Sequence, residues 1–329
     1  MRSAVFKRIV LAVAALGVVA GLTACQSAVA GTPTAAPAAG PERVAFAPYV
    51  DVSVKRPDLA AVAKATGLKH VVLAFALAGK GGSCDPAWGG TKPLDDLKPD
   101  IDAFRAAGGD VTVATGGAVG TYLENVCRTS DELAGAYGKL LDATGSTWLD
   151  VDIETGIRPD VVVDALAQVQ RSRGTDVTLT LPVDLGGLTP AGLDLVRRAA
   201  AANVTVTVNA MDMNFRTGGD WGQAMVDAAQ AVLDQLRQVY PEASEAVQNR
   251  TLGITVMIGR NDAGPITRVA DAQKVLDFAR SRGIGRLGIW SLGRDSGACP
   301  KRAKAAVDCS GIAQANLEFT KLLNGFAVA

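Results

Sequence analysis

The chain has 329 residues, 48% of them hydrophobic and 20% charged, which is sufficient for one large α/β domain with a sizeable core. Its 33 basic and 33 acidic residues balance, and no basic stripe occurs, which argues against nucleic acid as a partner. The single histidine, His70, excludes a multi-histidine metal site and directs attention to carboxylates for any catalysis. We expect His70 itself to be a solvated loop residue, because it directly precedes an apolar run.

Residues 1–24 have the pattern of an export signal. Arg2, Lys7 and Arg8 precede an apolar run over 9–22 that is short for a membrane span, and without this segment 30 basic residues face 33 acidic ones. The run ends in L-T-A-C, which resembles the bacterial lipobox and implies a lipid on Cys25; a plain secretory signal is the alternative. Residues 25–42, rich in Ala and Pro, are predicted to form a flexible tether. We therefore expect a lipoprotein on the extracellular face of the bacterial cell membrane, with release from it as the alternative, contacting the membrane only through the lipid on Cys25.

From residue 43 to 329 short β-branched runs alternate with longer amphipathic ones. Strands are predicted over 44–52, 70–78, 110–115, 148–154, 176–183, 204–213, 252–258 and 287–292. Helices are predicted to begin at Thr129 and Thr189 and to end at Gly145, Gly174 and Gly283. Eight buried-type strands, each followed by a helix, predict a parallel (β/α)₈ TIM barrel over 43–329. An open doubly wound sheet is the alternative, but no glycine-rich nucleotide motif accompanies it.

Four cysteines lie beyond Cys25, and export would permit them to form disulfides. Cys84 and Cys127 fall in successive loops, while Cys299 and Cys309 flank one short polar loop. We therefore favour the pairs Cys84–Cys127 and Cys299–Cys309, although three connectivities are open to four cysteines. A zinc site is the weaker alternative, because the spacings lack the short pairs that zinc sites use.

The segment 148–154, W-L-D-V-D-I-E, carries an acid at every second position. Side chains two apart on a strand share a face, so Asp150, Asp152 and Glu154 should all point into the barrel lumen. Three neighbouring carboxylates cannot all stay ionised in a low-dielectric site, so some of their pKa values should be raised. The alternatives are a solvated acidic edge, disfavoured by the apolar opposite face, and a magnesium or calcium site.

These three acids resemble the end of the signature strand D-G-x-D-x-D-x-E of glycoside hydrolase family 18, the chitinases and endo-β-N-acetylglucosaminidases. The residues at 147–148 depart from it, being T-W where the family often has D-G. Three further elements follow in family order: A-T-G-G at 114–117 resembles S-x-G-G, M-D-M-N at 211–214 resembles M-x-Y-D, and G-I-W-S at 288–291 resembles the last strand. The resemblance extends from residue 44 to about 296 and implies the same barrel.

What the resemblance implies is a retaining, substrate-assisted hydrolase of β-1,4 linkages in N-acetylglucosamine glycans, without metal or cofactor. Glu154 would be the general acid and base, Asp152 would orient the N-acetyl group, and Asp150 would share a proton with Asp152. The predicted substrate-binding residues are Tyr49, Phe75, Gly116, Gly117, Met211, Met213, Asn214 and Trp290, with Trp290 as the floor beneath the sugar. Since Met213 cannot donate the hydrogen bond of the family's Tyr, we expect Tyr49 to contribute from across the lumen.

Two other functions are compatible with the same residues. One is a non-catalytic sugar-binding lipoprotein on the same barrel, and the retained Glu154 favours catalysis over it. The other is an endo-N-acetylglucosaminidase that trims glycans or peptidoglycan, which shares the machinery but not the substrate. In each case the expected partner of a monomeric protein is chitin or an N-acetylglucosamine oligosaccharide.

Overall fold

The computed structural model describes residues 44–326. The predicted signal over 1–24, the lipidation of Cys25 and the tether over 25–42 lie outside the described residues and stay predictions. Within 44–326, no helix has both the length and the apolar character needed to cross a membrane.

Parallel strands make up the centre of the fold. The strands of the described chain, in order, are β1 (Tyr49–Asp51), β2 (His70–Gly79), β3 (Ser83–Trp88), β4 (Asp110–Gly116), β5 (Trp148–Asp152), β6 (Asp176–Asp184), β7 (Gly187–Leu188), β8 (Val206–Asp212), β9 (Leu252–Met257), β10 (Gly259–Arg260), β11 (Ile266–Thr267) and β12 (Arg286–Trp290). Eight of them pair in parallel in the order β1-β2-β4-β5-β6-β8-β9-β12.

Backbone hydrogen bonds just before β1 close this sheet into a barrel. Ala47 N donates to Leu287 O at 3.0 Å, and Leu287 N donates to Ala45 O at 2.8 Å, so the chain entering β1 pairs with β12. The predicted (β/α)₈ barrel is confirmed.

Helices follow the barrel strands along the chain. They are α1 (Leu59–Thr66), α2 (Lys98–Ala106), α3 (Leu123–Val126), α4 (Ser130–Thr144), α5 (Pro159–Arg173), α6 (Pro190–Ala201), α7 (Trp221–Val239), α8 (Glu245–Thr251), α9 (Val269–Arg282) and α10 (Glu318–Leu323), with 3₁₀ turns at Leu94–Leu97 and Leu292–Arg294. The predicted ends are confirmed: Thr129 and Thr189 cap α4 and α6, and Gly145, Gly174 and Gly283 end α4, α5 and α9 in the left-handed conformation.

Several strand boundaries differ from the prediction. Strand β1 begins at Tyr49 instead of residue 44, because Pro48 has no N–H for a ladder and only Phe46 makes an isolated bridge before it. Strand β5 ends at Asp152 instead of Glu154. His70 is the half-buried first residue of β2, so the solvated-loop interpretation was wrong. The hairpins that β3 and β7 form with β2 and β6, and the β10–β11 ribbon, were not predicted.

Strand β5 lies in the middle of the sheet, between β4 and β6, so the acidic-edge alternative is excluded. Leu149, Val151 and Ile153 are buried in the main apolar core together with residues of the surrounding helices. The favoured disulfides Cys84–Cys127 and Cys299–Cys309 are confirmed, and the zinc alternative for these cysteines is wrong.

Candidate active site

A cavity of about 170 Å³ opens at the carboxyl ends of the barrel strands, where catalytic groups of such barrels collect. We call it the mouth cavity. It brings together most of the predicted site residues, although they are scattered over more than 240 positions of the sequence. Its lining consists of Tyr49, Phe75, Ala118, Asp152, Glu154, Thr180, Met211, Met213, Asn214, Thr255, Met257, Asp262 and Trp290.

Asp150 lies beneath this cavity, fully buried in the lumen. Tyr49 Oη donates to Asp150 Oδ2 and Thr180 Oγ1 donates to Asp150 Oδ1, each at 2.6 Å. Burial raises the pKa of Asp150, while these two donors and the positive charge of Arg286 act in the opposite direction. Asn209 Nδ2 donates to Tyr49 Oη at 3.1 Å and supports the network from β8. Both oxygens of Asp150 are thus occupied, so it supports the site and does not line the cavity.

Asp152 and Glu154 reach the cavity itself. Asp152 is buried, and its Oδ1 has no hydrogen-bond partner within the described residues. Burial raises the pKa of Asp152 well above its usual range, and the charges of Glu154, Asp150 and Glu124 raise it further. Glu154 is half-buried; burial raises its pKa and the nearby charge of Asp262 adds to this. The prediction of raised pKa values along this strand is confirmed.

Three aromatic rings form an apolar wall of the mouth cavity. Phe75 and Trp290 stack with their ring centroids 5.7 Å apart and their planes at 21°, and the Tyr49 ring lies 6.0 Å from that of Trp290. Aromatic rings and carboxylates that line one cavity suit a sugar, which has an apolar face and a polar edge.

Gly116 and Gly117 do not line the mouth cavity. Close packing explains why both positions require glycine. Both have positive φ, 86° and 91°. A Cβ on Gly116 would lie 1.8 Å from the carbonyl oxygen of Asp152, and one on Gly117 would lie 2.5 Å from the Phe75 ring. The two glycines therefore allow the chain to turn tightly at the end of β4 while it packs against Asp152 of β5 and against Phe75.

Asn214 contributes mainly to holding a loop over the cavity. Its side-chain oxygen accepts hydrogen bonds from the N–H groups of Asp262 and Ala263, at 2.9 and 3.3 Å, and its own N–H donates to Asn261 Oδ1 at 3.1 Å. This fixes the tip between β10 and β11 and places Asp262 at the cavity wall. Sequence reasoning missed Asp262, although an acid just beyond the end of β9 is a signal that could have found it.

Asp212 on β8 is a buried acid outside the mouth cavity. It alternates with Asn209 and Met211 and so faces away from the lumen, and neither carboxylate oxygen has a partner within the described residues. Burial raises the pKa of Asp212 well above its usual range.

We expect Asp212→Asn to raise the free energy of unfolding by about 1–3 kcal/mol at pH 7. An acid whose pKa is raised on folding costs stability above its unfolded-state pKa, so the gain should vanish near about pH 3, where aspartate is protonated in both states. Denaturant unfolding at the two pH values measures this, with the exposed Asp227→Asn as control. No gain at pH 7 would mean that the carboxylate is stabilised in the fold.

Within residues 44–326, no group of three or more His, Cys, Asp or Glu side chains could hold a metal ion.

No protein-family model matches the chain. Two curated relatives do: the probable bifunctional chitinase/lysozyme of Escherichia coli strain K12, 34% identical over 275 residues, and Endochitinase 11 of Metarhizium anisopliae, 34% identical over 274 residues. Each alignment covers 76% of this chain, but only 31% and 52% of the respective relative.

A solved structure aligns over nearly its full length. Active domain 2 of the thermostable chitinase from Pyrococcus furiosus, determined with chito-oligosaccharides, superposes with a TM-score of 0.80 at 34% identity, covering 87% of this chain and 97% of that domain.

A parallel eight-stranded barrel with paired carboxylates and stacked aromatic rings at its mouth is the architecture of a barrel glycoside hydrolase. At 34% identity over 97% of the Pyrococcus domain, the chain belongs to the chitinase-like glycoside hydrolases of family 18.

Proposed function

We propose that the chain hydrolyses β-1,4 linkages in chitin or related N-acetylglucosamine glycans, with Glu154 as general acid and base. The observation that carries this proposal is the presence of Asp152 and Glu154 in one cavity with the Trp290 ring. The relatives support the substrate class, since they are chitinases and, in one case, a chitinase/lysozyme.

Glu154 would begin the cycle protonated, which is the form that its raised pKa favours. It donates its proton to the glycosidic oxygen as the bond to the anomeric carbon breaks, and the substrate's N-acetyl oxygen attacks that carbon to give an oxazolinium ion. Glu154, now a carboxylate, takes a proton from water as the water oxygen attacks the anomeric carbon and the bond from that carbon to the acetamido oxygen breaks. The anomeric configuration is thereby retained.

Asp152 would bind the N-acetyl group through its free Oδ1. That oxygen is buried and has no partner within 44–326, so it can accept the acetamido N–H without breaking an existing hydrogen bond. As the oxazolinium forms, a negative charge on Asp152 stabilises the positive ring. In the resting site the proton that the pair shares would lie on Asp152, because the oxygens of Asp150 accept hydrogen bonds from Tyr49 and Thr180. Transfer of this proton to Asp150 as the oxazolinium forms would leave the negative charge on Asp152.

Tyr49 cannot also replace the missing family Tyr at position 213, contrary to the expectation from the sequence. Its single hydroxyl proton is donated to Asp150. Met213 lines the cavity with an apolar side chain, and Asp262 supplies the additional polar group of this wall. We therefore propose that Asp262 takes part in substrate binding and raises the pKa of Glu154.

The function is tested by comparing fully acetylated N-acetylglucosamine oligomers with glucosamine oligomers of the same length. Wild-type protein should release new reducing ends from the acetylated series alone, because a free amine lacks the oxygen that attacks the anomeric carbon. Equal cleavage of both series would exclude the acetamido nucleophile. Binding of the acetylated oligomer without cleavage would favour the sugar-binding alternative.

Asp262→Asn should shift the alkaline limb of the pH–kcat/KM profile to lower pH. Removing the negative charge near Glu154 lowers the pKa of Glu154, so the acid loses its proton earlier as the pH rises. Because Asp262 is exposed, the shift should shrink at high salt. The exposed Asp227→Asn serves as control. An unchanged limb at low salt would remove Asp262 from this role.

A further inference from the structure

The two catalytic carboxylates lie on either side of the point where β5 stops. The strand ends at Asp152, and Glu154 follows two residues later without a strand neighbour to pair with. The neighbouring strand β4 ends at Gly116, after which the positive φ of Gly117 turns the chain away. The backbone that carries Glu154 must therefore be fixed by something other than the sheet.

A side-chain hydroxyl fixes it. Glu154 N donates to Tyr122 Oη at 3.1 Å, and Tyr122 Oη donates to Gly117 O at 2.6 Å. Gly117 N in turn donates to Asp152 O at 3.1 Å. These three hydrogen bonds connect Asp152 to Glu154 through Gly117 and Tyr122, an arrangement we call the tyrosine bracket.

The opposite side of the same backbone is held by β6, because Ile153 N donates to Thr180 O at 2.9 Å. Successive residues from 152 to 154 thus each have a backbone group bonded to a fixed neighbour. Tyr122 is only 2% exposed and is absent from the lining of the mouth cavity, so it does not reach the substrate space itself.

Tyr122 is itself held by the segment on either side of it. Ala78 N donates to Thr121 O at 2.9 Å, and the buried Glu124 accepts from Thr115 Oγ1 at 2.7 Å. The disulfide of Cys127 with Cys84 joins this segment to the β2–β3 hairpin. A reacting side chain must be held in one position, and the Tyr122 hydroxyl, itself fixed by these contacts, can hold the backbone of Glu154 in place.

We propose that Tyr122 is a positioning residue, which fixes the direction in which the Glu154 carboxyl enters the mouth cavity. The inference rests on the proposed function, since it concerns the acid of that reaction. Tyr122→Phe removes only the hydroxyl and leaves the N–H of Glu154 and the carbonyl of Gly117 without their partner. A displacement of about 1 Å at a reacting group can lower a rate about 10²-fold.

Tyr122→Phe should therefore lower kcat on N-acetylglucosamine oligomers about 10- to 100-fold. KM should stay within about twofold, because no residue that lines the cavity has changed. Tyr137→Phe is the matched control. Tyr137 is equally buried and its hydroxyl donates to Glu124 at 2.8 Å, but it makes no hydrogen bond with Glu154, and Glu124 keeps its bond from Thr115.

Both variants and the wild type are assayed below their thermal unfolding transitions, and calorimetric binding of the N-acetylglucosamine hexamer verifies an intact cavity. A fall in kcat confined to Tyr122→Phe, with binding retained, supports the inference. Unchanged kcat, a rise in KM alone, or equal losses in both tyrosine variants would overturn it. An inactive wild type that Glu154→Gln does not alter would instead count against the proposed function, which keeps the two failures apart.

Discussion

Glu154→Gln is expected to lower kcat/KM on N-acetylglucosamine oligomers about 10²- to 10⁴-fold, the range that a general acid supplies. Glutamine fills the same volume in the mouth cavity but has no proton to give to the glycosidic oxygen. The loss should be much smaller on 4-nitrophenyl glycosides, whose leaving group departs without protonation. Steady-state kinetics on both substrates measure the difference.

Glu245→Gln is the matched control for this change, because Glu245 is an exposed residue of α8 whose ion pair within residues 44–326 is with Arg237. It should leave both activities unchanged. Hexamer binding by Glu154→Gln should be retained, because the aromatic wall and Asp152 are untouched. Equal losses on the two substrates would contradict the assignment of Glu154 as the acid.

Asp152→Asn is expected to lower kcat about 10²- to 10³-fold on oligomers and on 4-nitrophenyl glycosides alike. An amide cannot offer a negative charge to the oxazolinium ion, and a better leaving group does not compensate for that. The same change should raise stability at neutral pH. Burial raises the pKa of Asp152, so the acid costs folding free energy above its unfolded-state pKa, and the asparagine does not.

Asp160→Asn, at an exposed residue of α5, is the control for both measurements. Recovery of Asp152→Asn on the activated glycoside would mean that Asp152 assists the acid step instead of the nucleophile. A loss of stability together with activity would point to a structural role for its carboxylate.

Strand alternation and helix ends predicted the barrel because they depend on local patterns. The β-branched runs, the caps at Thr129 and Thr189 and the glycines at helix ends each act within a few residues. The period of two along 148–154 likewise placed Asp150 and Asp152 in the lumen. The end of β5 was missed, since it depends on the turn that Gly117 makes directly after the neighbouring strand β4.

The parts of the site that escaped prediction come from loops and from contacts distant in sequence. Tyr122 and Asp262 belong to no strand, and only the folded chain brings them to Glu154 or to the cavity wall. Tyr49 was predicted to bind substrate from across the lumen. Its hydroxyl instead donates a hydrogen bond to Asp150 and supports that carboxylate. Gly116 and Gly117 were predicted to bind substrate, but neither lines the mouth cavity, and both are required for the close packing of Asp152 and Phe75.

The anomeric form of the first product tests the central claim most directly. Proton NMR recorded at early times, as wild-type protein cleaves the N-acetylglucosamine hexamer, reports the configuration at each new reducing end before it equilibrates. A mechanism in which the substrate's acetamido group attacks and Glu154 then activates water predicts a predominance of the β anomer. A predominance of the α anomer would require direct attack by water and would contradict the roles proposed for Asp152 and Glu154.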